Sequence, residues 1–130
     1  MTTEKYMEES IKLHSQGYIY AGLILGKNGE KDYHLWLHPE TYPALLTWDE
    51  AFAWSASLQC KFPTRREHFL LLANCPDHFE KNWYWSSDQY DERHEFAWMQ
   101  NFANGNMEIS HRSNEKRVRA VRRVYTETTA

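Results

Sequence analysis

Between Tyr18 and Leu25 the chain is apolar on both faces, with Tyr18, Ile19, Tyr20, Leu23, Ile24 and Leu25, and this predicts a buried strand. Asn28-Gly29 follows, the strongest short hairpin signal. The return strand, about Asp32 to Leu37, alternates. It sets His34, Trp36 and His38 on one face and Leu35 and Leu37 on the other. The polar residues before Tyr18 read as a leader or a short helix, and residues 1–16 are set apart as a leader.

Pro39 and Pro43 break the pattern into a loop. Two capping boxes then announce helices. Thr47-Trp48-Asp49-Glu50 heads one running to about Leu58, with Trp48, Ala51, Phe52 and Trp54 inward. Thr64-Arg65-Arg66-Glu67 heads a second running to about Ala73 with Phe69, Leu70 and Leu72, and Pro76 ends it. Four β segments complete the chain: Trp83–Ser87, Glu95–Phe102, Met107–Arg112 and Arg117–Val124, with a turn at Asn104-Gly105-Asn106. A hairpin, two helices and several antiparallel strands make an α+β class, in one domain over 17–125 with a frayed tail at 126–130.

Composition narrows the function classes. The 130 residues suit one core, and six Trp, eight Tyr and six Phe can fill it or make contact surface. The net charge of −3 argues against a globally basic nucleic-acid binder. No apolar run approaches the roughly 20 residues that cross a bilayer, and MTTEKYMEES has no signal-peptide core. The expectation is a cytoplasmic chain with no membrane contact, in which Cys60 and Cys75 are reduced, buried thiols.

Several motifs occur in order. They are Leu46-Thr47-Trp48-Asp49-Glu50-Ala51, Phe62-Pro63-Thr64-Arg65-Arg66-Glu67, Tyr84-Trp85-Ser86-Ser87, Ala97-Trp98 with Asn101-Phe102 and Gly105, and Arg117-Val118-Arg119-Ala120-Val121-Arg122. Together they resemble the C-terminal domain of Legionella collagen-like proteins, a C-type-lectin-like family, over Leu46 to Val124. Lys61-Phe62 stands where that family has Trp-Arg-Leu. The whole chain resembles small proteins carried by enterobacterial phages and prophages, which implies the cytoplasm of a bacterial host. The resemblance implies a C-type-lectin-like fold, with two helices flanking antiparallel sheets and a loop-rich face. The variable domains of diversity-generating retroelement targets are similar in the same region, and there that face binds partners. The positions it designates here are Gln89, Tyr90, Glu92, Arg93, His94, Asn106, Glu108, Ser110 and His111.

No complete catalytic motif is present. Ser86 and Ser87 near His94 lack a nucleophile elbow and a third member, and read as backbone hydrogen-bonders. His34 and His38 have no His-Glu-x-x-His or Cys-x-x-Cys support, so neither a metal nor a cofactor is expected. Calcium-dependent sugar binding would need a Glu-Pro-Asn-type loop, which is missing. Seven aromatics lie between Trp83 and Phe102. Most read as core, with Tyr90 and Arg93 leading as contacts. In the basic segment, Arg117, Arg119 and Arg123 would share a strand side with Val121. Arg112, Arg117, Arg119 and Arg123 either pair with acidic residues of preceding loops or form an anion site. The leading expectation is a non-enzymatic module that engages a host or phage protein, in its sharper form inhibiting a bacterial defence or nuclease system. The competing expectation is a nucleotide- or nucleic-acid-binding protein, or an enzyme, using the Arg-rich strand with Glu95 or His94.

Overall fold

A computed structural model describes residues 2–126. The class is α+β. The element order is α1 (Thr3–Ser15), β1 (Ile19–Ile24), β2 (Tyr33–Thr41), α2 (Trp48–Ser57), α3 (Arg65–Asn74), a short 3-10 turn (Pro76–His78), β3 (Trp83–Gln89), β4 (Phe96–Asn101), β5 (Met107–His111) and β6 (Arg119–Tyr125). Two antiparallel three-stranded sheets form, ordered β1-β2-β6 and β3-β4-β5.

Both expected capping boxes close. Thr47 Oγ1 accepts the Glu50 N–H (3.3 Å) while Glu50 Oε1 accepts the Thr47 N–H (2.9 Å). Thr64 and Glu67 repeat the arrangement at α3. Each box satisfies two donors that a helix start leaves free. Thr47→Ala is therefore expected to lower stability by about 1 kcal/mol in urea unfolding, with Thr47→Ser close to neutral.

Several expectations change in the folded chain. Of the two readings of the N-terminus, leader or short helix, residues 3–15 are helical, and Leu13 is fully buried in α1. The strand at Tyr18–Leu25 is not buried throughout. β1 is a sheet edge, and a bulge at Tyr20/Gly22 leaves Tyr20 and Leu23 exposed. β2 continues through Pro39, because the β2–β6 register shifts between Leu37 and Thr41 and no ladder donor is required there. On α2 the inward residues are Trp48, Ala51 and Ser55, at helical spacing, while Phe52 is exposed. On α3 they are Glu67, His68 and Leu71, and Phe69 turns outward. The frayed tail expected over 126–130 lies, beyond Thr126, outside the described residues; Thr126 itself donates its N–H to Asp32 O (3.0 Å).

The β1-β2-β6 sheet is covered on both faces. Leu35, Leu37 and Val121 pack toward α3 with Leu71, Phe79, Tyr84 and Phe102. Trp36, Ala120 and Val124 pack on the other side with Leu13 and Cys60. A third cluster joins Trp48, Ala51 and Phe62 to Trp85, Ala97 and Met99. The 116–117 segment stitches the sheets together: Trp85 N–H donates to Arg117 O (2.9 Å) and Arg117 N–H to Trp83 O (3.2 Å). Cys60 and Cys75 are free, buried and in separate clusters.

The core holds one polar knot. Glu67, fully buried, receives Arg123 Nε at 2.6 Å and Nη2 at 2.8 Å, and the Tyr33 hydroxyl donates to it at 2.6 Å. His68 beside it is also fully buried, edge-on to Phe102, with neither ring nitrogen hydrogen-bonded.

Candidate binding face

The β3–β4 hairpin has its tip at residues 90–95. Tyr90 N–H donates to Phe96 O (2.9 Å) and Phe96 N–H to Arg93 O (3.0 Å). The tip's polar side chains largely bind each other. Gln89 Nε2 donates to His94 O (3.2 Å), the Tyr90 hydroxyl to Glu92 Oε2 (3.2 Å), and Arg93 pairs with Glu95 (2.8 Å). The hydrogen bond to Glu92 raises the phenol pKa of Tyr90, and its own backbone N–H with Arg93 holds the Glu95 carboxyl down. These exposed pairs set tip geometry more than stability.

Behind the tip lies a firmer construction. Tyr90 meets the Trp98 ring of β4 edge-on at 5.7 Å. Arg65 lays its guanidinium over the same ring, 3.8 Å from the centroid. Arg65 is the first residue of α3, and its backbone N–H is held by Asp88 Oδ2 of β3 (2.8 Å). This bond ties the helix start to the hairpin, so the stack rests on two regular elements. Phe69 lies four residues after Arg65, on the same helix side, and is 51% exposed. An open groove of about 550 Å³ runs here, lined by Lys27, Arg66, Phe69, Asp91 and Trp98 among others. An edge-on aromatic pair, a fixed guanidinium and an exposed phenyl ring are anchor types of protein interfaces. Sequence reasoning missed Arg65, Phe69 and Trp98. The i, i+4 spacing after the capping box was the available signal for the first two, and Trp98 passed for core.

The nine designated positions do not converge. Gln89, Tyr90, Glu92, Arg93 and His94 form the tip. His111 joins them from β5, opposite Phe96 and edge-on to it at 5.5 Å, with Nδ1 2.8 Å from Ser113 Oγ. Asn106 sits at the other end of β4 and β5, in the turn, and Glu108 is exposed midway, opposite Met99. Ser110 is buried and accepts from Asn114 Nδ2 (3.0 Å). The split follows from strand geometry: β5 starts at the far turn and only its last residue, His111, reaches the tip, while neighbouring residues face opposite sides. Ser86 is buried, donating to Trp98 O (2.9 Å), and is not directed at His94.

The four arginines are dispersed as well. Arg112 pairs with Asp49 (2.5 Å) across the Trp48 ring. Arg123 belongs to Glu67. Arg119 is 3% exposed and donates to the carbonyls of His78 and His38. Arg117 is half-buried, with its Nε unpaired. The expected Arg side of β6 is not open, because Val121 sits in the core. His34 Nδ1 is 2.7 Å from the Tyr20 hydroxyl, and His38 Nδ1 accepts the Glu40 N–H (3.0 Å). Among the described residues no three His, Cys, Asp or Glu side chains gather as for a metal, and no helix is long and apolar enough to cross a membrane. No family model matches the chain, and no curated protein matches it at a significant level.

Proposed function

We propose that this chain is a non-enzymatic, C-type-lectin-like binding module of phage or prophage origin. It engages a protein through the face built on the β3–β4 hairpin and the start of α3. The observation that carries this reading is the Tyr90–Trp98–Arg65 stack beside exposed Phe69. Trp98 is held on β4 and Arg65 on α3, so little conformational entropy remains to be lost there on binding. A C-terminal strand returning to the N-terminal hairpin, with helices between and a second sheet carrying the loops, supports the lectin-like reading. In a bacterial cell infected by the carrier phage, the partner is a host or phage protein, and blocking a defence or nuclease system is the role such a stoichiometric binder would serve.

The test is a pull-down from bacterial lysate at moderate salt, with wild type beside Phe69→Ala and Tyr90→Ala. One protein should be retained stoichiometrically by wild type and reduced at least tenfold by either variant. Equal retention by all three would remove this face from consideration.

A further inference from the structure

A second pocket, sharing no lining residue with the groove, lies where β6 begins, beside the 3-10 turn. Its volume is about 390 Å³, near the lower end for small-ligand sites. Ile19, Pro39, Phe79 and Tyr84 give it apolar walls, and Arg119 lines it.

Arg119 is nearly fully buried, yet among the described residues it forms no ion pair with a carboxylate. A guanidinium carries five N–H donors in a fixed fork. One Nη donates to His78 O and the other to His38 O, while Nε has no partner. These two bonds clip the 3-10 turn to the end of β2, which explains part of the residue's role. The guanidinium also lies over the Phe79 ring, 5.3 Å from its centroid, but its charge has no carboxylate partner in a low-dielectric setting, where an unpaired ion is costly. Arg117, just before β6 and bridged to Tyr84, has an Nε that is likewise buried and unpartnered. Both positive charges act on the phenol of Tyr84, which lines the pocket.

We infer that this pocket binds the carboxylate of a small monoanion with an apolar body, set against the Arg119 guanidinium that lines it. A planar carboxylate matches the fork of a guanidinium. The charge of the ligand is limited by Asp77 and Glu80, which share the lining and oppose a multiply charged phosphate. The acid could be free in solution or be the C-terminus of another chain, since both present the same group.

The experiment follows the Nε–Hε resonance of Arg119 by proton–nitrogen NMR in the intact protein. Benzoate, benzamide, inorganic phosphate and the tripeptide Gly-Gly-Phe are titrated separately. The expected result is a saturable shift with benzoate, none with its neutral isostere benzamide, and binding of phosphate at least about tenfold weaker. Tighter binding of Gly-Gly-Phe than benzoate would assign a chain terminus as the source, and the reverse a free acid. Arg117 lies outside the pocket lining and its charge acts only from a distance, so Arg117→Gln should weaken benzoate by less than about tenfold. An Arg119 resonance that does not saturate with benzoate, or that responds equally to benzamide or phosphate, overturns the inference.

Discussion

Truncating Glu67 to alanine is expected to lower the unfolding free energy by about 3 kcal/mol, because it strands the half-buried Arg123 as an unpaired charge. The carboxylate is fully buried and accepts two bonds from Arg123, one from Tyr33 and the backbone N–H of Thr64. Urea unfolding of Glu67→Ala, Arg123→Met and the double variant measures it. The double variant should be less destabilised than the two single losses added together, since the partners act as one unit. The pair also has a pH signature. Burial opposes the charged carboxylate, but the hydrogen bonds and charge of Arg123, helped by Tyr33 and Thr64, outweigh it and hold the Glu67 pKa below its usual 4.5. A depressed folded pKa means the stabilisation is complete above the unfolded value and is lost as pH falls through the folded one. The loss therefore begins below about pH 4.5, the usual value, and Glu67→Gln should not show it.

His68→Leu is expected to act in the opposite direction. Burial pushes the His68 pKa from 6.5 down to about 3, with the Glu67 charge the opposing influence. The folded protein thus keeps a neutral ring while the unfolded chain takes up a proton. Stability is unaffected by His68 above pH 6.5 and falls as pH drops from 6.5 toward 3, by up to about 1.4 kcal/mol per pH unit. Because neither ring nitrogen has a partner, leucine orphans nothing and removes a buried polar group. His68→Leu should match or exceed wild type at pH 7.5 and hold an advantage of about 2 kcal/mol near pH 5. His34 and His38, also lowered by burial, keep a shallow slope in that range. Between pH 6.5 and 4.5 the histidine effect is separated from that of Glu67, so chemical denaturation at pH 7.5, 5.5 and 4 distinguishes the two. Equal pH dependence in wild type and His68→Leu would contradict this account.

The parts legible in the sequence were those fixed by local chemistry. Thr47–Glu50 and Thr64–Glu67 mark helix starts because the bonds that close them lie within four residues. Asn28-Gly29 marks the first hairpin because both residues take positive φ, 54° and 82°, which most residues resist. The illegible parts depend on contacts far along the chain. Glu67 and His68 look like solvated helix residues until β2 and β6 bring Tyr33 and Arg123 against them. Phe69 looks like core until Leu71 takes the inward position. β6 alternates Arg with apolar residues, as a half-exposed strand would, yet both of its faces are covered, so Arg119 is enclosed. At the binding face, Tyr90 could be found from its polar loop. The i, i+4 spacing could mark Arg65 beside Phe69, but not its meeting with Trp98, which needs the Asp88 bond that brings α3 to β3.

The central claim is that a protein docks on the face carrying Phe69, Tyr90, Trp98 and Arg65. Photo-cross-linking in bacterial cells tests it most directly, with benzoylphenylalanine placed at Phe69 and, as a control, at Ile11, an exposed apolar position on α1 outside the groove lining. The account predicts one discrete protein adduct from position 69 and none from position 11. No adduct from position 69, or the same adducts from both positions, would contradict it.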